Sequence, residues 1–291
     1  MPELPEVETT RRLIAPLLVG RTVREVHTTT PSYFFLTPPA TLRRELRGAT
    51  FCDLSRHGKY LVASLADGRR LLLHLGMTGQ LFSSSAHSPR LLRKTGTGTK
   101  TPAEQRTFSP DEHTHLALGF SDGGERVFFR DVRKFGKVRL IPLGETDPRL
   151  AKLGPDALLA DGAALAEVGR RRSAAVKALL LDQSTLAGVG NIYADEALFL
   201  AGVRPSRPSN RVRAAEWQAI AHGVRHVLTR GIATGGASIS DFVRPDGKDG
   251  GFQDERNVYG RAGEPCPRCG TPLAHATIAT RSTTFCRRCQ R

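Results

Sequence analysis

Four cysteines near the end of the chain form the pattern best suited to defined chemistry. Cys266 and Cys269 are separated by two residues in "CPRCG", and Cys286 and Cys289 repeat that spacing sixteen residues later in "CRRC". Thiolates so spaced in a tight turn can hold one ion, and two such turns complete a tetrahedron. Four thiolates leave no open coordination position, so one structural Zn2+ is expected rather than a catalytic metal. An iron–sulfur site and chance spacing are the competing readings. The spacer "TPLAHATIATRSTTF" is β-prone and reads as a hairpin. Arg268, Arg281, Arg287, Arg288 and Arg291 make the module basic. The fifth cysteine, Cys52, lies in an apolar strand-like run and is expected as a small buried hydrophobe. Two further stretches could do chemistry. "MPELPEVETT" places Glu3, Glu6 and Glu8 behind a Met–Pro start. First residues usually fray, and spacing alone reads this stretch as an acidic helix start, where carboxylates complement the dipole. "DQSTLAGVGNIYADEALF" sets a glycine-rich turn before a helical run. Such a turn can bring backbone N–H groups to an anion; Asn191 there is a helix cap or a phosphate ligand, and a purely structural turn is the alternative.

The elements that must position these residues fall into two textures. "PEVETTRRLIAPLLVG" reads as a helix, with Pro5 in its first turn, Val7, Ile14 and Leu17/Leu18 on one face and Gly20 at its end. From about 22 to 143 short β-prone runs are split by Gly, Asp and Pro, and "SDGGERV" signals a hairpin. Many strands without intervening helices predict a sandwich or barrel. Residues 83–112 break this pattern as a polar, basic insertion. After 144–156 the spacing turns helical, in "SAAVKALLLDQ", "NIYADEALFLAGV" and "RAAEWQAIAHGVRHVLTRGI", followed by the Gly/Asp-rich loop 236–252.

The 291 residues are enough for two domains. Forty-three Lys and Arg against 28 Asp and Glu give a net charge of +15. The basic clusters recur along the chain, which suits a long phosphate backbone better than a small ligand. A solubility surface is the bland reading. No apolar run reaches the roughly 18 residues of a membrane span, and the acidic, proline-broken N-terminus is unlike a signal peptide. A cytoplasmic protein, associated with the nucleoid, is expected.

In order along the chain stand "PELPEVE" at 2–8, "HGKYL" at 57–61, "HLGMTG" at 74–79, "RKFG" at 133–136, "LAGVGNIYADEALF" at 186–199 and "VYGRAGEPCPRCG" at 258–270. Together they resemble the formamidopyrimidine-DNA glycosylase family over essentially the whole chain. Leu4 favours that branch over endonuclease VIII, which typically opens P-E-G-P-E. The resemblance implies an α+β fold: an N-terminal helix with a two-layer β-sandwich, then a helix–two-turn–helix domain ending in a four-cysteine zinc finger hairpin. It implies a catalytic domain at 1–143, a linker at 144–156, a DNA-binding domain at 157–257 whose loop 236–252 caps the flipped base, and a finger at 258–291.

It also implies an activity: excision of 8-oxoguanine and formamidopyrimidines from double-stranded DNA, then β,δ-elimination at the abasic site. The chain would act as a monomer with zinc as its one cofactor. Removal of Met1 would expose the secondary amine of Pro2. An α-amine titrates near 7.7–8.0 against about 10.4 for lysine, so roughly a tenth is unprotonated at neutral pH. Such an amine can attack C1′ and form a Schiff base. Met1 must then be absent from the active enzyme; a molecule retaining it would bind lesions without being trapped on them.

The family assigns proton donation to Glu3 and phosphate contact with β-elimination to Lys59. To Arg281 it assigns phosphate contact in δ-elimination, although an arginine is a poor proton donor. Met77, Arg133 and Phe135 match the residues that fill the void left by the flipped nucleotide. Lys134 stands where many relatives carry arginine. His113, Arg172, Lys177 and Asn191 fall at positions of DNA-backbone contacts. An endonuclease VIII-like preference for oxidised pyrimidines and a non-catalytic zinc-finger lesion binder are the alternatives.

Overall fold

The computed structural model describes residues 1–87 and 108–291; most of the 83–112 insertion lies outside them. The chain forms two compact units. One comprises Met1–Asp147 with Gly235–Gly251, the other Pro148–Thr234 with Phe252–Arg291. The segment 235–251, expected with the helical half, packs with the strands of the first unit.

In the first unit, helix α1 (Leu4–Leu18) starts from an extended Glu3 with Pro5 in its first turn. Val7, Ile14 and Leu18 lie in the core, each worth about 1.5–3 kcal/mol of burial. Gly20, at φ +80°, takes the left-handed turn after the helix that a side chain would strain. Among the described residues ten strands follow along the chain, eight of them here. They are β1 (Val23–Thr28), β2 (Phe51–His57), β3 (Tyr60–Leu65), β4 (Arg70–His74), β5 (Gly79–Ser83), β6 (Thr114–Phe120), β7 (Val127–Asp131) and β8 (Lys137–Ile141). They make two antiparallel sheets, ordered β1-β6-β7-β5 and β2-β3-β4-β8. Inward residues of both, among them Phe51, Leu61, Leu73, Leu118, Phe129 and Val138, share one hydrophobic cluster. That is the expected sandwich. The outer face of β5 is covered as well: Phe82 and Ala86 pack with Val243 of the 235–251 segment.

Two expectations for this unit need correction. Cys52 is exposed, not buried. The β2–β3 register shifts between Phe51 and Asp53, so Phe51 and Leu54 point inward while Cys52 and Asp53 both face out. Among the strands there is also a helix, α2 (Pro39–Leu46), which the strand-like reading passed over. Pro39 suits its first turn, and Leu42 and Leu46 are four apart on its buried face.

The second unit holds α3 (Pro148–Ala151), α4 (Gly162–Arg170), α5 (Val176–Leu181), α6 (Asn191–Ala201) and α7 (Ala214–Ala233). Helices α6 and α7 pack together where Gly223 meets Ala197; a Cβ at 223 would sit 2.8 Å from the Ala197 carbonyl oxygen. The chain ends in a hairpin of β9 (Ala274–Ile278) and β10 (Arg281–Phe285), paired antiparallel.

Two successive carboxylates of α6 fix the end of the chain to that helix. Glu196, fully buried, accepts from the backbone N–H groups of Asn257, Val258 and Tyr259 at 2.8–2.9 Å. Asp195 accepts from Thr284 N at 3.0 Å. Each satisfies donors that would otherwise be buried without partners.

Candidate active site and metal cluster

The N-terminus is ordered into the first unit rather than frayed: Met1 is exposed, while Pro2 and Glu3 are buried. Glu6 is the reason. Its Oε2 accepts from Glu3 N at 2.8 Å, closing the first turn of α1 in the manner of a capping box. Its Oε1 accepts from Ala237 N at 2.7 Å, so the same carboxylate ties the helix start to the 235–251 segment. Gln80 Nε2 donates to Asp241 O and holds that segment at a second point. Glu6 therefore does more than complement the helix dipole.

Lys59 follows Gly58 in the β2–β3 turn and is buried. The turn is coupled to α1 through Glu8. Arg56 Nε donates to Glu8 Oε2 at 3.1 Å, and its Nη1 donates to Gly58 O at 3.0 Å. Arg11 and Arg12 also donate to Glu8. Burial alone would raise the Glu8 pKa, but these three guanidinium groups outweigh it and hold the carboxyl at about 2. The helix that Pro2 and Glu3 lead into is thus bound to the turn carrying Lys59.

Met77 and Phe135 are large apolar side chains left 38% and 41% exposed. The Arg133 guanidinium lies 4.7 Å from the Phe135 ring centroid. Sequence reasoning missed a neighbour: Tyr33 is 56% exposed, its ring is 6.3 Å from that of Phe135, and its hydroxyl donates to Arg133 O at 2.6 Å. Nothing in the periodicity of "PSYFF" separates Tyr33 from the core residues Phe34 and Phe35. Only the fold brings it beside a residue 100 positions away. His113 is partly exposed beside Glu112, and its carbonyl accepts from Asp131 N at 2.8 Å.

In the second unit the sulfurs of Cys266, Cys269, Cys286 and Cys289 all lie within 4.8 Å of one another, with close pairs at 3.5 and 3.9 Å. Zn–S bonds of about 2.3 Å in a tetrahedron put sulfurs about 3.8 Å apart. The cluster therefore fits one structural zinc ion. Gly270, at φ +71°, makes the turn after the first pair. Arg268 is exposed, yet its guanidinium folds back on the end of α6: it donates to Phe199 O and Leu200 O and stacks on Phe199.

Arg281 is exposed directly after a two-residue turn in which Ala279 and Thr280 have φ of +50° and +58°. Left-handed backbone suits the tight hairpin, but it strains a β-branched residue. Behind Arg281, Ser282 O accepts from both Asn191 Nδ2 (2.9 Å) and Lys177 Nζ (3.0 Å). Lys177, expected at the DNA surface, is 0% exposed. Its ammonium also donates to Thr283 Oγ1 at 2.7 Å and lies 2.6 Å from Asp195 Oδ1, an ion pair rather than an aligned hydrogen bond. The correction has a physical cause: α5 and β10 close over the side chain, and Asp195 supplies the countercharge. Arg172 is half-exposed and paired with Asp182 at 2.6 Å. Burial favours a raised Asp182 pKa, yet Arg172, Ser184 and Thr185 bring it to about 2.

The model of the formamidopyrimidine-DNA glycosylase N-terminal domain matches residues 1–138. The H2TH-domain model of the same glycosylase matches 153–243, and the zinc finger found in FPG and IleRS matches 263–291. The chain belongs to the formamidopyrimidine-DNA glycosylase family. The formamidopyrimidine-DNA glycosylase of Symbiobacterium thermophilum is 41% identical, aligned over all of this chain and 89% of that protein. Its namesake in Desulfitobacterium hafniense is 39% identical over the full length of both. Among solved structures, the MutM (FPG) protein of Thermus thermophilus superposes with a TM-score of 0.82 at 36% identity, covering 99% of this chain and 98% of that one. Lactococcus lactis Fpg, solved in complex with DNA containing N7-benzyl-Fapy-dG, gives 0.84 at 33% identity over the whole of both chains.

Proposed function

We propose that this glycosylase excises 8-oxoguanine and formamidopyrimidines from duplex DNA and cleaves the resulting abasic strand. The observation that carries this reading is the burial of Pro2 and Glu3 behind the Glu6 latch. First residues usually fray unless something ties them down, and here the tie holds Pro2 and Glu3 in place.

With Met1 removed, the Pro2 nitrogen lone pair forms a bond to C1′ as the glycosidic bond breaks. The departing base takes the bonding pair and a proton, and Glu3 is the donor assigned to the acid step. Opening of the sugar leaves an iminium. Loss of a C2′ proton then expels the 3′-phosphate, and δ-elimination expels the 5′-phosphate. Lys59 and Arg281 contact phosphate in these steps, and Arg281 acts by its fixed charge, since a guanidinium seldom gives up a proton. Met77, Arg133 and Phe135 fill the void of the flipped nucleotide, with Tyr33 as support. Arg172, His113 and Asn191 contact the DNA backbone, and the 236–252 loop caps the flipped base. Among the described residues no helix is long and apolar enough to cross a membrane. Work in the cytoplasm beside the nucleoid belongs to the same proposal.

The test is borohydride trapping on duplex DNA containing 8-oxoguanine:C, with Pro2→Gly as control. Wild-type protein lacking Met1 should crosslink, and the control should not. Tight binding without a wild-type crosslink would leave a lesion-binding protein and end the enzymatic reading. Faster excision of thymine glycol than of 8-oxoguanine would overturn the substrate assignment.

A further inference from the structure

Two connections of the first unit carry the proposed void-filling side chains. Met77 lies between β4 and β5, while Arg133 and Phe135 lie between β7 and β8. One buried carboxylate joins them. Asp131, 0% exposed at the end of β7, accepts from Thr78 Oγ1 at 2.5 Å and from Arg133 N at 3.2 Å through Oδ1, and from Gly136 N at 2.6 Å through Oδ2. Thr78 Oγ1 in turn accepts from Arg133 N at 3.1 Å. The hydroxyl that follows Met77 is thus bonded to the carboxylate that organises the Arg133–Gly136 turn.

The two backbones also touch. A Cβ at Gly76 would fall 2.5 Å from Gly136 N and from the Phe135 carbonyl carbon. Lys134 is held at φ +57°, a conformation uncommon for a residue with a long side chain. From behind, His115 Nε2 bonds to Asp131 O at 2.9 Å. Burial lowers the His115 pKa, so the ring is neutral and donates that proton at neutral pH.

Among the described residues, no cationic side chain is a hydrogen-bond partner of Asp131. A buried carboxylate of this kind is costly unless its N–H and O–H donors are held in place. Its occurrence between two otherwise separate connections has a consequence for function. Opening a base stack costs a few kcal/mol, and independent connections would yield under that load. We propose that Asp131, with Thr78, is a positioning residue that locks the Met77 connection and the Arg133–Phe135 connection into one rigid wedge. The proposal rests on the void-filling reading of Met77, Arg133 and Phe135.

Asp131→Asn keeps the shape but points an amide N–H at donors on one side. The test compares two substrates. Single-turnover excision of 8-oxoguanine from duplex DNA should slow on the order of 30-fold, the effect of losing one strong buried hydrogen bond. Cleavage and borohydride trapping at a preformed abasic site in single-stranded DNA, where no stack is displaced, should stay within about threefold of wild type. With 2-aminopurine opposite the lesion, the fluorescence rise on wedge entry should be slowed by the same factor as duplex excision. Thr78→Val should reproduce the defect in part, and Thr78→Ser should restore the wild-type rate; this pair carries the test if Asp131→Asn does not fold.

Equal losses on both substrates would reduce Asp131 to a general stabilising residue and overturn the proposal. So would wild-type duplex rates for Asp131→Asn or Thr78→Val while Phe135→Ala slows excision, a result that leaves the wedge reading intact. If Phe135→Ala also excises normally and gives the normal fluorescence rise, the wedge reading fails first and the inference with it.

Discussion

Replacing Lys177 by methionine separates two roles for this residue: a phosphate contact at the surface, or an internal strut. The structure supports the strut. The ammonium is fully buried, donates to Ser282 O and Thr283 Oγ1, and faces Asp195 at 2.6 Å. Methionine would remove the countercharge and leave Asp195, among the described residues, with the hydrogen bond from Thr284 N. Stranding one half of a buried pair typically costs 3–5 kcal/mol. An upper bound follows from titration. Burial already pushes the Asp195 pKa up to about 6 from 3.8, with Lys177 opposing the rise. Without Lys177 the carboxyl would fold protonated, which at pH 7 costs about 4 kcal/mol relative to its ordinary value. The ammonium is also spared its own desolvation, so a loss of about 3 kcal/mol is expected. At pH 5 protonation is easier, and the same bound drops below about 2 kcal/mol.

The assay is denaturant unfolding followed by the fluorescence of Trp217, the single tryptophan, which is buried in the second unit. Adding Asp195→Leu should recover only part of the loss, because an apolar pair replaces a buried ionic one while the Thr284 N–H loses the acceptor Asp195 gave it. The salt dependence of DNA binding should keep its slope. Unchanged stability together with a slope lower by about one would refute the strut, since that is the signature of one lost phosphate contact.

Thr280→Gly should stabilise the finger-bearing unit by about 0.5–1 kcal/mol. Relief of a left-handed L-residue gains roughly 1–2 kcal/mol, and the added freedom of the unfolded glycine returns about 0.5–1. Trp217 unfolding midpoints measure it, and a lower midpoint would mean that the bond from Arg281 Nη1 to Thr280 Oγ1 outweighs the strain. Acid should act through Glu8. Its folded pKa, about 2 against an ordinary 4.5, is depressed, so its stabilisation is complete above pH 4.5 and disappears as pH falls toward 2. That contribution is up to about 3 kcal/mol. Urea unfolding at pH 5 and pH 3 should bring wild type and Glu8→Gln closer together at the lower pH; parallel curves would remove Glu8 from the account of acid stability.

The elements were legible wherever one period dominated. The α1 stripe, the short alternating strands and the long run of α7 could be read directly, and the four-cysteine spacing located the metal cluster. Helix α2 was hidden because its eight residues give two apolar positions, too few to outweigh the strands on either side. Cys52 was misread because a bulge reverses the alternation, and a bulge depends on pairing with another strand. Tyr33 and Lys177 failed in opposite directions for one reason. Residue type suggests a buried aromatic and an exposed lysine, while the outcome depends on partners about 100 residues away: Arg133 for one, Ser282 and Thr283 for the other.

The same long-range dependence governs the carboxylates. A count by residue type makes every acidic group near the functional side chains an acid–base candidate and, with a polyanionic partner, a source of repulsion. The fold removes both meanings from several. Glu6 is occupied by two backbone N–H groups, Glu8 by three guanidinium groups, Asp131 by a hydroxyl and two N–H groups, and Glu196 by three successive N–H groups. Asp195 is paired with Lys177. The net charge of +15 already sets all 28 acidic residues against 43 basic ones, and holding several of these carboxylates in the interior keeps them off the surface offered to phosphate. Buried acid in this protein fixes the helix start, the finger and the two connections that carry Met77 and Phe135.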